Sequence, residues 1–263
     1  MKLKGVTSGR VVRPRKILLY GVHGIGKSSF AAKAPNPIFI QTEEGTNDLE
    51  VDRFPLCKSM TQVDWCITQL LEEEHDYKTV IIDSADMLGA VINKQVCEQM
   101  DVPSIEDIPY GKGHEYAYSQ WNSLLGDIEL LQEKRDMTVI FIAHSKIVEF
   151  QDPSSDTYHK YTNNLHINKK GIGVGARIQE WCDEVLFANY KTHTRITDKS
   201  IGKEAVKAVG SGERVIYTEQ RASFDAKNRL GLPYELPMDK DLGYQVYAEY
   251  IGEPQTQTTG EGE

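Results

Sequence analysis

The 263-residue sequence has no apolar run that approaches the roughly 18 residues a membrane-spanning helix needs, so it predicts no membrane span. Residues 1–5 lack the apolar stretch of a secretory signal, and we expect no such signal. Cysteine is scarce, and no two cysteines have the C-x-x-C spacing of a zinc or redox motif. These absences favour free thiols in a reducing compartment, and therefore a cytoplasmic protein. The four cysteines are Cys57, Cys66, Cys97 and Cys182.

Basic residues are outnumbered, because 30 Lys and Arg stand against 39 Asp and Glu, for a net charge of −9. This balance disfavours a protein that coats nucleic acid through its overall charge, but it leaves local basic patches open. The charge is uneven: residues 1–16 carry six basic and no acidic side chains, whereas residues 234–263 carry seven acidic ones. With 40% hydrophobic and 26% charged residues, the composition is that of a globular protein.

The predicted organisation is one folded domain between two charged ends. Residues 1–14 form a basic N-terminal segment, and residues 15–252 form the domain. Residues 253–263 contain no side chain suited to a core, which predicts a disordered acidic tail, either inert or partner-binding.

Short apolar runs alternate with helical patterns along the domain. Continuous apolar strands of this kind are typical of a parallel sheet buried on both faces. The predicted core strands are 16–20, 37–40, 79–82 and 138–142. Residues 63–71 and 117–128 show apolar spacings of three and four, which predict helices. Runs at 184–188 and 214–218 have little helix between them and predict an antiparallel extension. The predicted class is α/β: a mainly parallel sheet flanked by helices, with antiparallel C-terminal strands.

Residues 21–28 read G-V-H-G-I-G-K-S and fit the phosphate-loop pattern G-x-x-x-x-G-K-[S/T], after a predicted strand and before a helix. The glycines let backbone N–H groups surround phosphate oxygens, and the helix that begins near Lys27 presents its positive N-terminus to them. Lys27 supplies charge to the β- and γ-phosphates, and Ser28 supplies a hydroxyl to Mg²⁺. The predicted nucleotide-binding residues are Gly21, Val22, His23, Gly24, Ile25, Gly26, Lys27, Ser28 and Ser29.

A predicted strand ends in Asp83, the pattern of a carboxylate that holds Mg²⁺ through water beside a phosphate loop. We therefore expect Ser28 and Asp83 to form the metal site, with ATP and Mg²⁺ as cofactors. Asp86 has the position of an acid in the first turn of a helix.

The segment 42–46, T-E-E-G-T, resembles the D-T-E-G-T segment of RecA-like recombinases, in which the glutamate is the catalytic base. Alignment of the E-G-T portion gives that role to Glu44, and the one-residue insertion leaves Glu43 as the alternative. A carboxylate here is suited to orient and deprotonate the attacking water. The remaining alternative is an acidic turn without chemistry.

Two further segments extend the resemblance. In RecA-like ATPases the strand that matches 138–142 lies between the two phosphate-site strands, and a polar residue at its tip senses the γ-phosphate. His144 holds that position, although glutamine is usual there and a structural histidine is the alternative.

Residues 227–231, K-N-R-L-G, resemble the K-x-R-x-G segment of DnaB-like helicases, whose lysine and arginine reach the neighbouring subunit's γ-phosphate. The resemblance gives this trans role to Lys227 and Arg229 and implies a homo-oligomer; a solvated basic turn is the alternative.

The long segment 146–174 follows the sensor strand, where RecA-like proteins place a single-stranded DNA loop. Its interleaved aromatic and basic side chains are suited to stack on bases and track phosphates. The DNA-binding candidates are Tyr158, Lys160, Tyr161, His166, Lys169 and Lys170. A β-hairpin or lid without a ligand is the alternative.

Residues 102–113 lie near the position at which a RecA-like core places its first DNA loop. Basic residues at every fourth position over 191–207 predict a solvated hairpin, with phosphate contact as the alternative.

The whole pattern resembles the small RecA-like P-loop ATPases of bacteriophages, a group that includes ATP-dependent single-strand annealing recombinases. The resemblance implies a slow, DNA- or oligomer-stimulated ATPase that forms a ring or filament on single-stranded DNA and acts in recombination or annealing. A single-strand-binding protein is a further candidate partner, and a phage-encoded chain would work in the bacterial host cytoplasm. The alternatives are a DnaB-like helicase or helicase-loader motor and a nucleotide-gated interaction module with negligible hydrolysis.

Overall fold

The computed structural model describes residues 13–151, 156–168, 171–200, 203–239 and 243–251, without the side chains of 192–200 and 203–211. Most of the predicted basic segment 1–14, the predicted tail 253–263, and the DNA-binding candidates Lys169 and Lys170 lie outside these residues. No helix in the described ranges has the length and apolarity needed to cross a membrane.

The described part of the chain contains nine strands and six α-helices. The strands are β1 (Lys16–Gly21), β2 (Pro37–Gln41), β3 (Asp52–Arg53), β4 (Thr79–Asp83), β5 (Thr138–Phe150), β6 (Tyr158–Asn163), β7 (Glu184–Ser200), β8 (Lys203–Tyr217) and β9 (Glu235–Pro237). The helices are α1 (Lys27–Ala31), α2 (Met60–Glu72), α3 (Ala85–Met100), α4 (Lys112–Arg135), α5 (Val174–Trp181) and α6 (Gly243–Ile251).

The strands form one sheet in the order β3-β2-β4-β5-β1-β7-β8-β9, with β6 paired to β5 as a hairpin. The pairs from β3 to β7 are parallel, and β7, β8 and β9 continue the sheet antiparallel. β5 lies between β4 and β1, where the sensor strand was expected. The predicted RecA-like α/β class with antiparallel C-terminal strands is confirmed.

Helices cover both faces of the sheet because the central strands are apolar on both. Alternate residues of β1 point to opposite faces: Leu18 and Tyr20 join the core beneath α2, α3 and α4, whereas Ile17 and Leu19 join the core beneath α1 and α6. All four side chains are fully buried. Burial on both faces explains the continuous apolar runs in the sequence.

Two predicted segments are now defined. The segment after the sensor strand begins as a continuation of β5, which runs to Phe150 and pairs with β6, so its first part is a β-hairpin. The predicted hairpin around Lys191 is β7 paired with β8, and the side chains of Arg195, Lys199, Lys203 and Lys207 lie outside the description. Helix α6, for which the sequence predicted no helix, packs Tyr244 and Tyr247 against Phe30 of α1.

Gly21, the last residue of β1, lies against the backbone of β7. A Cβ at this position would stand 2.1 Å from the carbonyl oxygen of Ala188. Because that atom belongs to a hydrogen-bonded strand, it has little freedom to move. The close approach of β1 and β7 therefore requires glycine here for packing, independently of any phosphate contact.

We expect Gly21→Ala to lower the free energy of unfolding by about 1–3 kcal/mol or more, because the added methyl overlaps a backbone carbonyl. Urea denaturation without nucleotide measures the change. Gly126→Ala is the matched control: Gly126 is exposed in α4, with no heavy atom within 4 Å of an added Cβ. That change should stabilise the protein by up to about 1 kcal/mol through helix propensity. Equal stability of Gly21→Ala and the wild type would contradict the packing argument.

Candidate nucleotide site

The glycine-rich loop joins the buried end of β1 to the first turn of α1. Gly24 and Gly26 adopt left-handed backbone conformations, with φ of 70° and 104°. Between them, Ile25 is fully buried and anchors the loop in the core beneath α1. The loop is therefore held at both ends and in its middle, and its backbone N–H groups are placed around the N-terminus of α1.

Lys27 is 6% exposed, and its ammonium is held inside the loop. Nζ donates hydrogen bonds to the carbonyl oxygens of Gly21 at 3.1 Å and Val22 at 3.0 Å. Burial lowers the pKa of Lys27, and the nearby carboxylates of Asp83, Asp86 and Glu43 oppose that shift. The charge is thus concentrated where the loop would meet a phosphate group.

Ser28 and Asp83 are in direct contact, which places both oxygen donors at one point beside the phosphate loop. Ser28 Oγ donates a 2.6 Å hydrogen bond to Asp83 Oδ2. Burial raises the pKa of Asp83, while the hydrogen bond from Ser28 acts in the opposite direction. A hydroxyl and a carboxylate are oxygen donors of the kind Mg²⁺ prefers, so the pair fits this ion. Within the described ranges no group of three or more His, Cys, Asp or Glu is arranged to hold a metal. A magnesium ion that takes its other ligands from phosphate and water does not need such a group.

The loop, Asp83 and the end of β5 enclose a cavity of about 370 Å³, within the range of about 300–1,000 Å³ usual for ligand sites. Its lining combines the phosphate loop with acidic side chains and one imidazole. The lining residues are Gly24, Gly26, Lys27, Ser28, Ser29, Glu43, Gly45, Asp48, Leu49, Asp83, Ile142 and His144.

The two candidate bases after β2 differ in position. Thr42 is fixed at the edge of the sheet, since its N–H donates to Asp83 O at 2.8 Å and its Oγ1 donates to Ser84 O at 2.7 Å. Glu43, the next residue, lines the cavity and influences the pKa of both Lys27 and Asp83. Glu44 is exposed and does not line the cavity. The geometry therefore favours Glu43, the alternative that the one-residue insertion left open, over the Glu44 that the motif alignment preferred.

His144 reaches the cavity from the tip of the expected sensor strand. Its ring stacks on that of His23, in the phosphate loop, with centroids 4.0 Å apart. Its backbone N–H donates to Asp86 Oδ2 at 2.7 Å, and its Nδ1 lies 3.2 Å from the same oxygen. Asp86 occupies the first turn of α3, as predicted, and it also contacts the sensor position.

Lys227 and Arg229 lie away from the cavity of their own chain. Lys227 Nζ donates to the carbonyl oxygens of Gln179 at 2.6 Å and Glu180 at 3.3 Å. The Arg229 guanidinium, 59% exposed, lies 3.5 Å from Asp183, which precedes β7. Asp183 accepts a hydrogen bond from the N–H of Lys16, at the amino end of β1. The phosphate loop follows the carboxyl end of the same strand, so Arg229 lies at the opposite end of β1 from the loop. Neither side chain belongs to its own chain's site.

The described DNA-binding candidates all make contacts within the protein. Tyr158 packs on Phe150, and Lys160 forms a 2.9 Å ion pair with Asp225. Tyr161 packs against Phe187 in the core. His166 stacks on His114 with centroids 3.8 Å apart and the rings nearly parallel.

Two residues near the site were not identified as site residues from the sequence. Asp86 was assigned only to the helix terminus, because its contact with His144 joins segments far apart in sequence. Arg214, in β8, places Nη1 3.1 Å from the position that a Cβ on Gly26 would take. Its place at the start of a predicted strand gave no signal of this contact.

A glycine-rich loop around a buried lysine, with a serine hydroxyl bonded to a strand-terminal aspartate, defines a P-loop nucleoside triphosphatase site. The AAA-domain family model AAA_24 matches residues 13–230 of the chain. The chain therefore belongs to this AAA-domain family, and it is a P-loop ATPase by class.

One curated relative is the SPbeta prophage-derived uncharacterized protein YorG of Bacillus subtilis (strain 168), 30% identical over 138 residues. The match covers 49% of this chain and 40% of that protein, so the chain spans less than half of the relative's length. Among solved structures, the crystal structure of the RadB recombinase matches with a TM-score of 0.46 and 11% identity, covering 88% of this chain and 90% of that one. The fold assignment rests on the strand order and the phosphate loop, not on this likeness.

Proposed function

We propose that the protein is an ATP- and Mg²⁺-dependent ATPase that oligomerises on single-stranded DNA and promotes recombination or annealing in a bacteriophage. The observation that carries the ATPase part is the cluster of Lys27, Ser28 and Asp83 at the end of the phosphate loop. The prophage-derived relative supports the phage setting. The DNA part rests on the exposed aromatic and basic side chains described below.

In the proposed mechanism, the loop N–H groups and Lys27 bind the β- and γ-phosphates and align them for attack. Ser28 and Asp83 would hold Mg²⁺, which neutralises charge on the phosphate oxygens when bound. Glu43 orients the attacking water and accepts its proton, because it is the glutamate on the cavity wall. His144, at the cavity edge, donates to the terminal phosphate.

We expect Glu43→Gln to lower kcat by about 100-fold or more while nucleotide affinity is retained, because the amide keeps the shape but cannot accept the proton. Glu44→Gln is the matched control and should change kcat by less than about twofold, because Glu44 is exposed outside the cavity. Steady-state phosphate release and binding of a fluorescent ATP analogue give the two quantities. A large loss of kcat in Glu44→Gln, with little change in Glu43→Gln, would instead assign the catalytic base to Glu44.

The proposed trans role of Lys227 and Arg229 is supported by their position. About five residues of β1, or roughly 16 Å, separate the edge at Asp183 from the phosphate loop. The exposed Arg229 is therefore suited to reach a neighbour's site, while Lys227 is bonded to carbonyls at the end of α5. An arginine supplied this way stabilises the charge that develops on the transferred phosphoryl group.

We expect Arg229→Ala and Lys27→Ala proteins to be inactive alone and to regain activity when mixed. Random 1:1 mixing places an intact Lys27 opposite an intact Arg229 at about one quarter of head-to-tail interfaces. ATPase activity of the mixture with single-stranded DNA measures the recovery. Arg221→Ala, which removes an exposed arginine paired with Glu219, is the control and should remain active without mixing. No recovery in the mixture would contradict action between subunits.

The surface best suited to bases is centred on Tyr110, and we call Tyr110, Lys112, His114 and His166 the loop surface. Tyr110, between α3 and α4, is 95% exposed and has a left-handed φ of 61°. Lys112 is exposed, and the His114–His166 stack joins this loop to the segment after β6. An exposed ring two residues from an exposed lysine is suited to stack on a base while the lysine attracts its phosphate. The expected contribution of Tyr158, Lys160 and Tyr161 is reduced by their internal contacts.

We expect labelled single-stranded DNA to bind, more tightly with nucleotide, and Tyr110→Ala to weaken binding about 5- to 100-fold through loss of base stacking. Tyr110→Phe keeps the ring and should bind like wild type. Trp65→Ala, which removes an exposed aromatic on α2, is the control for general loss of surface. Filter binding at several salt concentrations gives the affinities.

No binding of the wild type at low salt would overturn the DNA role and favour a nucleotide-gated interaction module. Binding of Tyr110→Ala at wild-type strength would contradict the assignment of the loop surface. ATP-dependent strand displacement on a forked duplex would favour the helicase or loader motor over an annealing protein.

A further inference from the structure

Asp86 makes contacts that its place in the first turn of α3 does not require. A single oxygen, Oδ2, accepts the backbone N–H of His144 at 2.7 Å and lies 3.2 Å from His144 Nδ1. The side chain is 10% exposed, and its other oxygen, Oδ1, is buried without a hydrogen-bond partner in the described structure. An acid that only favoured the helix N-terminus would be expected to keep its carboxylate in solvent, where the charge is well hydrated.

The His144 imidazole is constrained on two sides. Asp86 holds its Nδ1 edge, and His23 covers one face of the ring at a centroid distance of 4.0 Å. The ring also lines the phosphate cavity. Because Nδ1 is directed at the carboxylate, Nε2 on the opposite side of the ring is the nitrogen available to a ligand.

We propose that Asp86 is a positioning residue for the nucleotide site, which keeps the proton on Nδ1 of His144 and presents Nε2 to the terminal phosphate. With the Nδ1 proton donated to the Asp86 oxygen, Nε2 is the ring nitrogen that faces the phosphate, and it donates a hydrogen bond there when it also carries a proton. Asp86 would thereby turn a histidine at the sensor position into a phosphate donor. The inference rests on the proposed ATPase function.

The charged groups around this pair are compatible with the role. Lys27, Asp83, Glu43 and His23 face the cavity side of His144. On the other side, the Asp86 carboxylate acts on Lys146, whose Nζ donates to Leu165 O at 2.9 Å. Asp86 therefore lies between the cavity and the segment that leads to His166.

A purely structural role makes a different prediction. In that case Asp86 only ties the tip of β5 to α3 through the N–H of residue 144, and its removal costs the same whatever side chain residue 144 carries. A positioning role predicts that the cost depends on the imidazole. A double-mutant cycle between residues 86 and 144 separates the two.

We expect Asp86→Ala to lower kcat about 10-fold or more while ADP affinity changes less than about twofold, since the phosphate-loop contacts remain. In a His144→Gln background, the same change should lower kcat by less than about twofold, because glutamine has no tautomer to fix. Asp86→Asn keeps an oxygen acceptor and should retain most of the activity. An equal cost of Asp86→Ala in both backgrounds would overturn the proposal.

The second measurement uses the nucleotide-free protein, so it does not depend on turnover. Long-range ¹H–¹⁵N spectra of the histidine rings distinguish the Nδ1–H and Nε2–H tautomers, and the His144→Gln spectrum identifies the His144 signal. We expect Nδ1–H in the wild type and Asp86→Asn, and Nε2–H in Asp86→Ala. An unchanged tautomer in Asp86→Ala would refute the positioning role. An inactive wild type with the expected tautomer shift would instead contradict only the ATPase proposal.

Discussion

The site depends on the parallel register of four neighbouring strands, which brings their carboxyl ends to one edge of the sheet. Gln41 is paired with Asp83, Asp83 with Ile142, and Gly21 with His144. The phosphate loop, Asp83, His144 and the turn with Glu43 all lie at or directly after these pairs. A shift of one residue in any of them would turn the terminal side chain to the other face of the sheet. The two apolar cores that fix this register are therefore part of the site's construction.

The same edge concentrates opposite charges in a partly closed space. Lys27 is buried with Asp83 close by. Burial lowers the pKa of Lys27 and raises the pKa of Asp83, which favours the neutral form of each group. Each charge is tolerated because the other is near and because loop carbonyls and Ser28 supply hydrogen bonds. The site thus contains partners of both signs, a cation for a phosphate group and a carboxylate for its metal ion.

The sequence was informative where a local pattern has one structural outcome. The apolar runs around Leu18, Ile81 and Ile140 became central strands, and the spacing of glycines before Lys27 became the phosphate loop. It was less informative where two patterns overlap. The motif alignment preferred Glu44 and the inserted residue left Glu43 as the alternative, whereas the anchoring of Thr42 by Asp83 and Ser84 leaves Glu43 on the cavity wall.

Contacts between distant segments were beyond the sequence for a simpler reason. Asp86 and His144 belong to different elements, as do Gly26 and Arg214, and no spacing rule connects them. The aromatic and basic residues of β6 were assigned to DNA from their composition. That composition is the same whether the side chains face solvent or the core. In the structure, Tyr161 is partly buried and packs against the core, while Tyr110, in a segment with weaker sequence signals, is the more exposed ring.

The trans role proposed for Arg229 constrains the assembly. The phosphate loop is at the carboxyl edge of the sheet, and Arg229, beside Asp183, is at the amino edge, so each subunit presents the two features at opposite edges. A two-fold dimer buries the same surface on both subunits and would need both features in that one patch. A head-to-tail contact joins the amino edge of one subunit to the carboxyl edge of the next. Such a contact leaves one unused edge at each end until it closes as a ring or continues as a filament.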